Sequence, residues 1–203
     1  MGYTFAEIAF TDTVKKVQQA AGSRATYARV EAGGNRDFNG FTDAEATFIA
    51  ARDSFYMASV SETGWPYVQH RGGPAGFVKV LDERTLGFAD YRGNRQYVSV
   101  GNLMTDDRVS VFFMDYGNRS RLKLLGRVSI IAPDDAETME KLKLPGHAAP
   151  VERGFLITLE AFDWNCPQYI TPRYTMPEIE RTVAPLKQRI AELEAMLDKA
   201  PAT

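Results

Sequence analysis

The chain has 203 residues, of which 44% are hydrophobic and 25% are charged, and its net charge at pH 7 is −2. This composition predicts one folded domain, alone or with appendages, and excludes disorder as the main state. The small net charge gives no reason to expect nucleic acid or an anionic membrane as the main partner. A single cysteine excludes an internal disulfide bond and a cysteine-rich zinc site.

The N-terminal sequence MGYTFAEIAF has neither a basic segment nor a long apolar run, and no stretch approaches the length that crosses a bilayer. We therefore expect a cytoplasmic protein without a membrane segment. Residues 1–40 are predicted to form an N-terminal arm with a short helix from Thr11 to Ala21. The Gly-rich segment AGGNRDFNG ends this arm, and we expect it to be a loop without chemistry.

A helix is predicted from about Asp43 to Arg52, because Thr42 and Glu45 form the T-x-x-E pattern of a capping box. Two apolar and aromatic runs follow, from Ser54 to Val60 and from Trp65 to Arg71. The turn sequence SETG between these runs predicts a β-hairpin.

Alternation along the second of these strands divides its side chains between two faces. Tyr67, Gln69 and Arg71 share one face, and Val68 and His70 share the other. We expect one face to meet a ligand and the other to meet the core or solvent.

A second hairpin is predicted from Phe77 to Leu81 and from Thr85 to Asp90, and a polar loop around Gly93 follows it. Guanidinium groups and amide donors on a bendable loop are the groups that hold a phosphate monoester. The pattern therefore predicts a phosphate-binding loop. The strand Trp65–Arg71, which precedes this hairpin, ends in an arginine of the same kind. The predicted phosphate-binding residues are Arg71, Arg92, Asn94, Arg95 and Gln96.

The remaining chain continues the pattern of short antiparallel strands. A helix over Gln96–Asp106 precedes strands over Arg108–Tyr116 and Ser120–Ile131, which flank Gly117 and Asn118 as in a tight hairpin. A seventh strand is predicted over Gly154–Trp164. Strands at this spacing indicate a barrel or sandwich and not a parallel sheet with crossover helices.

Two further helices are predicted outside the sheet. Pro133–Leu142 has proline and acidic residues at its start and is typical of a surface helix. In the tail, apolar residues recur at alternating steps of four and three, which predicts a helix that docks on its own barrel or on a dimer partner. Pro185 predicts that this helix starts near it or bends there. The apolar stripe is Ile179, Val183, Leu186, Ile190, Leu193 and Leu197.

Three segments, HRGGPAGFVKV, LGFADYRGNRQ and RVSVFFMDYGNRSRLKLLGRVSI, resemble the pyridoxamine 5'-phosphate oxidase-like family of FMN-binding split barrels. The resemblance covers roughly residues 41–131, and WNCPQYITPR is similar to the C-terminal segment of that family. It implies that residues 41–175 form a mainly β, antiparallel split β-barrel with flanking helices, followed by a C-terminal helix over 176–203. It also implies an FMN cofactor, a homodimer with FMN at the subunit interface, and FMN-dependent oxidoreductase activity.

The resemblance assigns roles to individual segments. The phosphate-binding loop contacts the phosphate and ribityl chain, and the backbone of residues 88–90 lies along the flavin ring. Asn102 either closes the phosphate loop or caps a helix, residues 119–121 begin a strand that reaches a flavin, and residues 164–173 wall the pocket from the other subunit. The candidate FMN-binding residues are Gln69, His70, Arg71, Phe88, Ala89, Asp90, Arg92, Asn94, Arg95, Gln96, Asn102, Arg119, Ser120, Arg121, Trp164, Gln168 and Arg173.

Each assignment has an ordinary structural alternative. The arginines can be surface residues of a solvated turn, Phe88 can belong to the core, and His70 is predicted to face away from Gln69 and Arg71. Cys166 lacks the sequence context of a nucleophile and is interpreted as buried packing. No general acid, general base or metal-ligand set is identifiable, so the catalytic residues and the substrate stay open.

The oxidase that gives the family its name carries an Arg-x-His pattern near its C-terminus that holds the vitamin phosphate. WNCPQYITPR has no such histidine after its arginine, which argues against pyridoxamine 5'-phosphate as substrate. One alternative is a flavin carrier or redox-responsive FMN-binding module without a dedicated substrate. Another is a haem or deazaflavin binder, for which His70 and His147 are the only histidine ligands in the sequence.

Overall fold

The computed structural model describes residues 4–32, 40–164 and 167–198, without the side chain of Leu197. Most of the Gly-rich segment, residues 33–39, and the predicted packing position Cys166 lie outside the described residues. The chain divides into two units, residues 1–114 with 121–166 and residues 115–120 with 167–203. No helix of the described ranges is long and apolar enough to span a membrane.

Seven strands form one antiparallel sheet in the order β2-β1-β5-β6-β7-β4-β3. No ladder joins the two outermost strands among the described residues, so the sheet is a split barrel, and the predicted fold class is confirmed. The strands are β1 (Ser54–Val60), β2 (Pro66–Gly72), β3 (Val78–Asp82), β4 (Thr85–Tyr91), β5 (Arg108–Asp115), β6 (Ser120–Ile131) and β7 (Val151–Trp164).

In the described ranges, six helices accompany the sheet in the first unit, and one long helix lies in the second. Thr42 and Glu45 form the predicted capping box at the start of the fourth helix, where the Thr42 N–H donates to Glu45 Oε2 over 3.0 Å. The helices are α1 (Thr4–Ala9), α2 (Asp12–Ala20), α3 (Arg24–Glu31), α4 (Asp43–Ala50), α5 (Val98–Leu103), α6 (Ala136–Leu142) and α7 (Met176–Leu197).

The barrel core is built around a group of buried phenylalanines. The Phe55 ring lies 5.8 Å from Phe77, 5.1 Å from Phe88 and 5.1 Å from Phe113, measured between ring centroids. Phe155 stacks on Phe88 at 5.1 Å. Alternation along the strands places these rings inside, and such aromatic pairs contribute beyond the area they bury.

Three predicted elements differ from the structure for local reasons. The turn between β5 and β6 has four residues, one more than the predicted strand bounds leave, because the Asp115 carboxylate accepts from the Asn118 N–H at 2.9 Å and β5 ends at Asp115. α5 begins only at Val98, because Tyr97 has a left-handed backbone with φ of 55°. α6 is not a simple surface helix, since its inner face is buried against β4 and β7 through Met139 and Leu142.

The C-terminal helix starts at the beginning of the range 176–203 and not near Pro185. α7 begins at Met176, nine residues before Pro185, and continues through that proline. The reason is a second capping box, in which the Thr175 N–H donates to Glu178 Oε2 at 2.7 Å. Pro177 adds to this start signal, since proline is favoured in the first turn. The T-x-x-E signal of this start is present in the sequence at 175–178.

Replacing Gly126 by alanine is expected to lower the free energy of unfolding by about 1–3 kcal/mol, the usual cost of overpacking a core. Gly126 lies at a register shift between β6 and β7, and a Cβ there would lie 2.7 Å from the Thr158 carbonyl oxygen and 2.8 Å from Ile157 Cγ2. Chemical denaturation measures the change. Gly101→Ala is the control, because Gly101 lies inside α5 with no atom within 4 Å of its added Cβ. Equal effects of the two substitutions would contradict the tight fit at Gly126.

Candidate functional site

Two adjoining cavities lie where β2 approaches the end of β4. The loop cavity, about 220 Å³, is lined by β2, by residues 93–97 and by the start of α5. The strand cavity, about 290 Å³, is lined by β2 and by the end of β4 with the residues that follow it. Both cavities share Gln69, Arg71, Asp90, Tyr91 and Gly93, so the side chains of Arg71 and Asp90 stand at their junction.

Ten of the predicted site residues line one or both of these cavities. β2 supplies its predicted ligand face, with Gln69 and Arg71 partly buried and Val68 and His70 exposed on the other face. His70 packs its ring edge-on against Tyr56 at 5.4 Å and reaches only the strand cavity. The ten are Gln69, His70, Arg71, Phe88, Ala89, Asp90, Arg92, Asn94, Arg95 and Gln96.

Arg71 and Asp90 form a buried ion pair between β2 and β4. Arg71 Nη1 donates to Asp90 Oδ1 over 2.6 Å, and the two side chains are only 10% and 16% exposed. The guanidinium also lies over the rings of Phe88 and Phe155, at 5.3 and 4.8 Å. Its Nε is buried and has no hydrogen-bond partner among the described residues. A buried donor without a partner is costly, so this atom favours an additional acceptor at the junction of the cavities.

Glu152, on β7, holds three groups of the loop cavity together. Its Oε1 accepts from Arg92 Nε at 3.1 Å and from the Tyr97 hydroxyl at 3.2 Å, and its Oε2 accepts from Arg153 Nη2 at 2.9 Å. Burial acts to raise the pKa of Glu152, but these hydrogen bonds outweigh it and lower the pKa. The Glu152 carboxylate therefore already accepts from donors that an anionic ligand in the loop cavity could also use.

The loop over residues 92–97, here called the arginine loop, has an unusual backbone. Arg95 and Tyr97 both have positive φ, 62° and 55°, which side-chain-bearing residues rarely adopt. Asn94 Oδ1 accepts from the Gln96 N–H at 3.1 Å, and Arg95 Nε donates to the Tyr97 hydroxyl at 3.2 Å. That hydrogen bond, with the nearby Glu152 carboxylate, raises the pKa of Arg95. Arg95 therefore stays charged in a fixed but exposed loop.

The charges around the two cavities do not balance. Among the residues that line them, three guanidinium groups, from Arg71, Arg92 and Arg95, face two carboxylates, from Asp90 and Glu152, which leaves a net charge of +1. Arg153 lines neither cavity, but it pairs with both carboxylates and brings the net charge of the cluster to +2. A phosphate monoester carries about −1.5 to −2 at pH 7. The arrangement is thus suited to one such group.

The end of β4 presents backbone groups as well as side chains. The ladder between β3 and β4 begins at Val78–Phe88, whereas β4 pairs with β7 as far as Tyr91. On the β3 side, residues 89–91 therefore have no neighbouring strand in the described part of the chain, and they line the strand cavity there. Unpaired edge groups are ready to bond an extended or planar polar ligand.

Three predicted residues of the same unit lie outside the cavity walls. Asn102 neither closes the arginine loop nor caps α5 with its side chain, because its Nδ2 donates to Ser59 Oγ on β1 at 3.0 Å. Arg121 lies over the Phe112 ring at 5.0 Å. Trp164 donates from its indole N–H to Glu45 Oε1 at 2.8 Å, which fastens the end of β7 to α4.

The other four predicted residues belong to the second unit. Arg119, Gln168 and Arg173 are exposed and Ser120 is partly buried. Within this unit Arg119 has φ of 53°, and the Arg173 guanidinium lies over the Tyr116 ring at 5.1 Å. The roles assigned to these residues stay predictions.

The model of the pyridoxamine 5'-phosphate oxidase family matches residues 41–153, which is more than half of the chain. The chain belongs to the pyridoxamine 5'-phosphate oxidase family. The match ends at Arg153, so it includes every residue that lines the two cavities but not Trp164, Gln168 or Arg173. No curated protein sequence matches the chain.

Several solved structures are similar to this family member. A protein from Clostridium acetobutylicum related to general stress protein 26, of the pyridoxinephosphate oxidase family, is 16% identical with a TM-score of 0.45, over 66% of this chain and 92% of its own. An FMN-binding protein from Syntrophomonas wolfei is 12% identical with a TM-score of 0.46, over 73% of this chain and 97% of its own. An F420 reductase is 16% identical with a TM-score of 0.45, over 61% and 98%.

Sequence reasoning missed part of the site of this family member. Glu152 and Arg153 reach it through the pairing of β7 with β4, which no local pattern reveals. Ser99, buried at the start of α5, donates to Gln69 Oε1 at 2.7 Å and orients that amide. Tyr97 carried a signal, because it directly follows the polar residues Asn94, Arg95 and Gln96, but it lay within the range 96–106 that was predicted as a helix.

Proposed function

We propose that the chain binds FMN across the two cavities and is a cytoplasmic FMN-dependent oxidoreductase whose substrate is not pyridoxamine 5'-phosphate. The observation that carries the proposal is the net charge of +2 beside an unpaired strand edge, since FMN joins a phosphate monoester to a planar ring. Membership of the pyridoxamine 5'-phosphate oxidase family supports it, and so does a structural neighbour described as an FMN-binding protein.

The phosphate fits the arginine loop on chemical grounds. Arg95 and Arg92 are exposed and offer guanidinium forks, and the buried Nε of Arg71 has a donor to spare. Entry of the phosphate would compete with Glu152 for Arg92, because that carboxylate holds Arg92 Nε. The arginines thus bind and orient the phosphate end of the cofactor.

The ring end fits the strand cavity. The backbone of Ala89 and Asp90 lies at the unpaired edge of β4, and Gln69 is oriented by Ser99 on the opposite wall. FMN supplies the hydride or electron chemistry when bound, and the protein supplies orientation and electrostatic tuning. The residues named here bind and position, and none of them is assigned as a general acid or base.

The first experiment is the visible absorption spectrum of the purified protein, followed by heat release and mass identification of any chromophore. We expect FMN at about one per chain, because the cluster of four guanidinium groups and two carboxylates, with its net charge of +2, matches one phosphate monoester. The apoprotein is then titrated with FMN and with riboflavin, which lacks the phosphate. A folded apoprotein that takes up neither flavin would overturn the proposal.

A flavin carrier without a dedicated substrate is the second candidate. The lack of an Arg-x-His pattern in WNCPQYITPR favours it, because the vitamin-phosphate contact of the oxidase has no counterpart here. Mixing the reduced holoprotein with oxygen and quinones, and the oxidised holoprotein with nicotinamide donors, separates the two candidates. Fast, saturable turnover with any of them rules out the carrier.

We also infer a homodimer, from the apolar outer face of the sheet. The outer face of β1, β2 and β5 carries Tyr56, Val60, Val68 and Phe112, which are 37%, 37%, 60% and 37% exposed. Tyr56 pairs across with Phe112, so this apolar surface is continuous over neighbouring strands. A second copy of the chain that covers this surface would bury these side chains.

Replacing Val68 by glutamate is expected to weaken self-association at least about tenfold, because a charge would be buried twice in a two-fold interface. Light scattering across a concentration series measures the mass, and flavin titration of the same samples measures FMN affinity. Ile130→Glu is the control, since Ile130 is another exposed β-branched residue, on β6. A wild-type chain that is monomeric at micromolar concentration would refute the homodimer.

A further inference from the structure

The 22-residue helix α7 carries an apolar stripe that is largely exposed in the described part of the chain. Ile179, Leu186, Ile190 and Leu193 are 41%, 61%, 54% and 44% exposed, and Val183 is partly buried. The steps of four and three along the stripe are those of a heptad repeat, in which the stripe supplies positions a and d. Such a helix is about 33 Å long at 1.5 Å per residue, long enough for three heptads.

The side chains of the repeat favour one particular arrangement. With Leu186 at d, the middle of the helix has β-branched residues at a, Val183 and Ile190, and leucine at d, Leu186 and Leu193, while Met176 and Leu197 are the a positions at its ends and Ile179 is the first d position. In parallel pairs, β-branched residues at a with leucine at d favour two strands over three or four. Pro185 falls at position c, on the outer side of the helix, so its ring does not obstruct the apolar face.

The charged residues beside the stripe agree with this arrangement. In a parallel pair, position g of one helix faces position e of the next heptad of the other helix. Here Arg189 is at g and Glu194 is at the following e, so each helix would offer one cation to a carboxylate of its partner, and the two-fold pair would have two such contacts. Arg189 is exposed, and among the described residues it bonds to Glu192 of its own helix, at 3.0 Å between Nη1 and Oε2.

We propose that α7 pairs in parallel with α7 of a second copy of this chain to form a short two-stranded coiled coil. This interaction surface is separate from the sheet surface of β1, β2 and β5, and the inference does not depend on the proposed FMN site. It gives the apolar stripe a defined partner, direction and register.

Disulfide cross-linking of the full chain tests the direction. In a Cys166→Ser background, Ile179→Cys and Leu193→Cys each place a thiol at a d position, at opposite ends of the helix. In a parallel pair the same d positions face each other, within the 4.4–6.8 Å Cα separation that a disulfide requires. Each variant alone should therefore form a cross-linked dimer on mild oxidation. Gln188→Cys, at the outer position f, is the control and should not.

The other outcomes overturn the proposal. Cross-linking that appears only when the Ile179→Cys protein is mixed with an Ile190→Cys protein would indicate antiparallel helices, because antiparallel helices pair position d of one helix with position a near the opposite end of the other. No cross-linking in any variant, with helical circular dichroism unchanged, would show that α7 does not pair. The flavin content of the same variants is expected to equal that of the parent, which separates this test from that of the FMN site.

Discussion

Replacing Arg95 by asparagine is expected to weaken FMN binding about 10- to 150-fold, because a hydrogen bond to a charged group contributes about 1.5–3 kcal/mol. Arg95 is exposed and left-handed at φ 62°, and asparagine is among the residues that tolerate that backbone conformation. The loop should therefore keep its shape while losing one cation. Fluorescence titration with FMN and with riboflavin measures the two dissociation constants.

The comparison between the two flavins gives this test its meaning. Riboflavin lacks the phosphate, so its affinity should change less than about twofold if Arg95 acts on that group alone. Arg108→Asn serves as the control, because Arg108 is also an exposed arginine but is held by Asp106 outside the cavities. Equal losses for both flavins would mean that Arg95 shapes the loop and does not bind phosphate.

Arg71→Met should lower the free energy of unfolding of the apoprotein by about 3 kcal/mol, since breaking a buried ion pair strands its partner in the interior. Methionine can replace the stem of Arg71 above Phe88 and Phe155, but it leaves Asp90 with only Arg153, whose Nε lies 3.3 Å from Asp90 Oδ2. Urea denaturation of protein freed of flavin measures the change.

Arg127→Met provides a matched control for the buried pair. Arg127 also bonds to carboxylates, those of Asp107 and Glu160, but all three side chains are 44–50% exposed. Replacing Arg127 should lower the free energy of unfolding by less than about 1 kcal/mol, as is usual for surface ion pairs. If Arg71→Met and Arg127→Met lower the free energy of unfolding by the same small amount, the Arg71–Asp90 pair is dispensable for stability and its burial does not strengthen it.

Much of the barrel could be predicted because its signals are local. The run Ser54–Val60 is a strand with the predicted bounds, and alternation on β2 places Gln69 and Arg71 on the partly buried face. The capping box at Thr42 likewise depends on residues three apart. The capping box of Thr175 and Glu178 is equally local, and it makes α7 start at Met176 and not near Pro185, which is the other start that the proline left open.

The parts of the site that escaped prediction depend on contacts between distant segments. Glu152 is 60 residues from Arg92 in sequence, and only the ladder of β4 with β7 brings them together. No sequence pattern indicates a partner for the Arg71 guanidinium, whereas the curvature of the sheet brings it into contact with the Asp90 carboxylate. The sequence therefore indicates an arginine-rich loop, while its net charge and internal carboxylate emerge only from the fold.

The bridge between Arg71 and Asp90 also bears on how the barrel opens. β2 is the outermost strand on one side of the sheet, and β4 is the second strand from the other side. From β2 through β1, β5, β6 and β7 to β4, neighbouring strands are joined by backbone ladders, whereas the gap between β2 and β4 is crossed by the side chains of Arg71 and Asp90. Local opening is cheapest where backbone pairing is missing. An anionic ligand that binds Arg71 would act on this contact between β2 and β4. Occupancy of the binding site would then help to hold the least protected edge of the barrel closed.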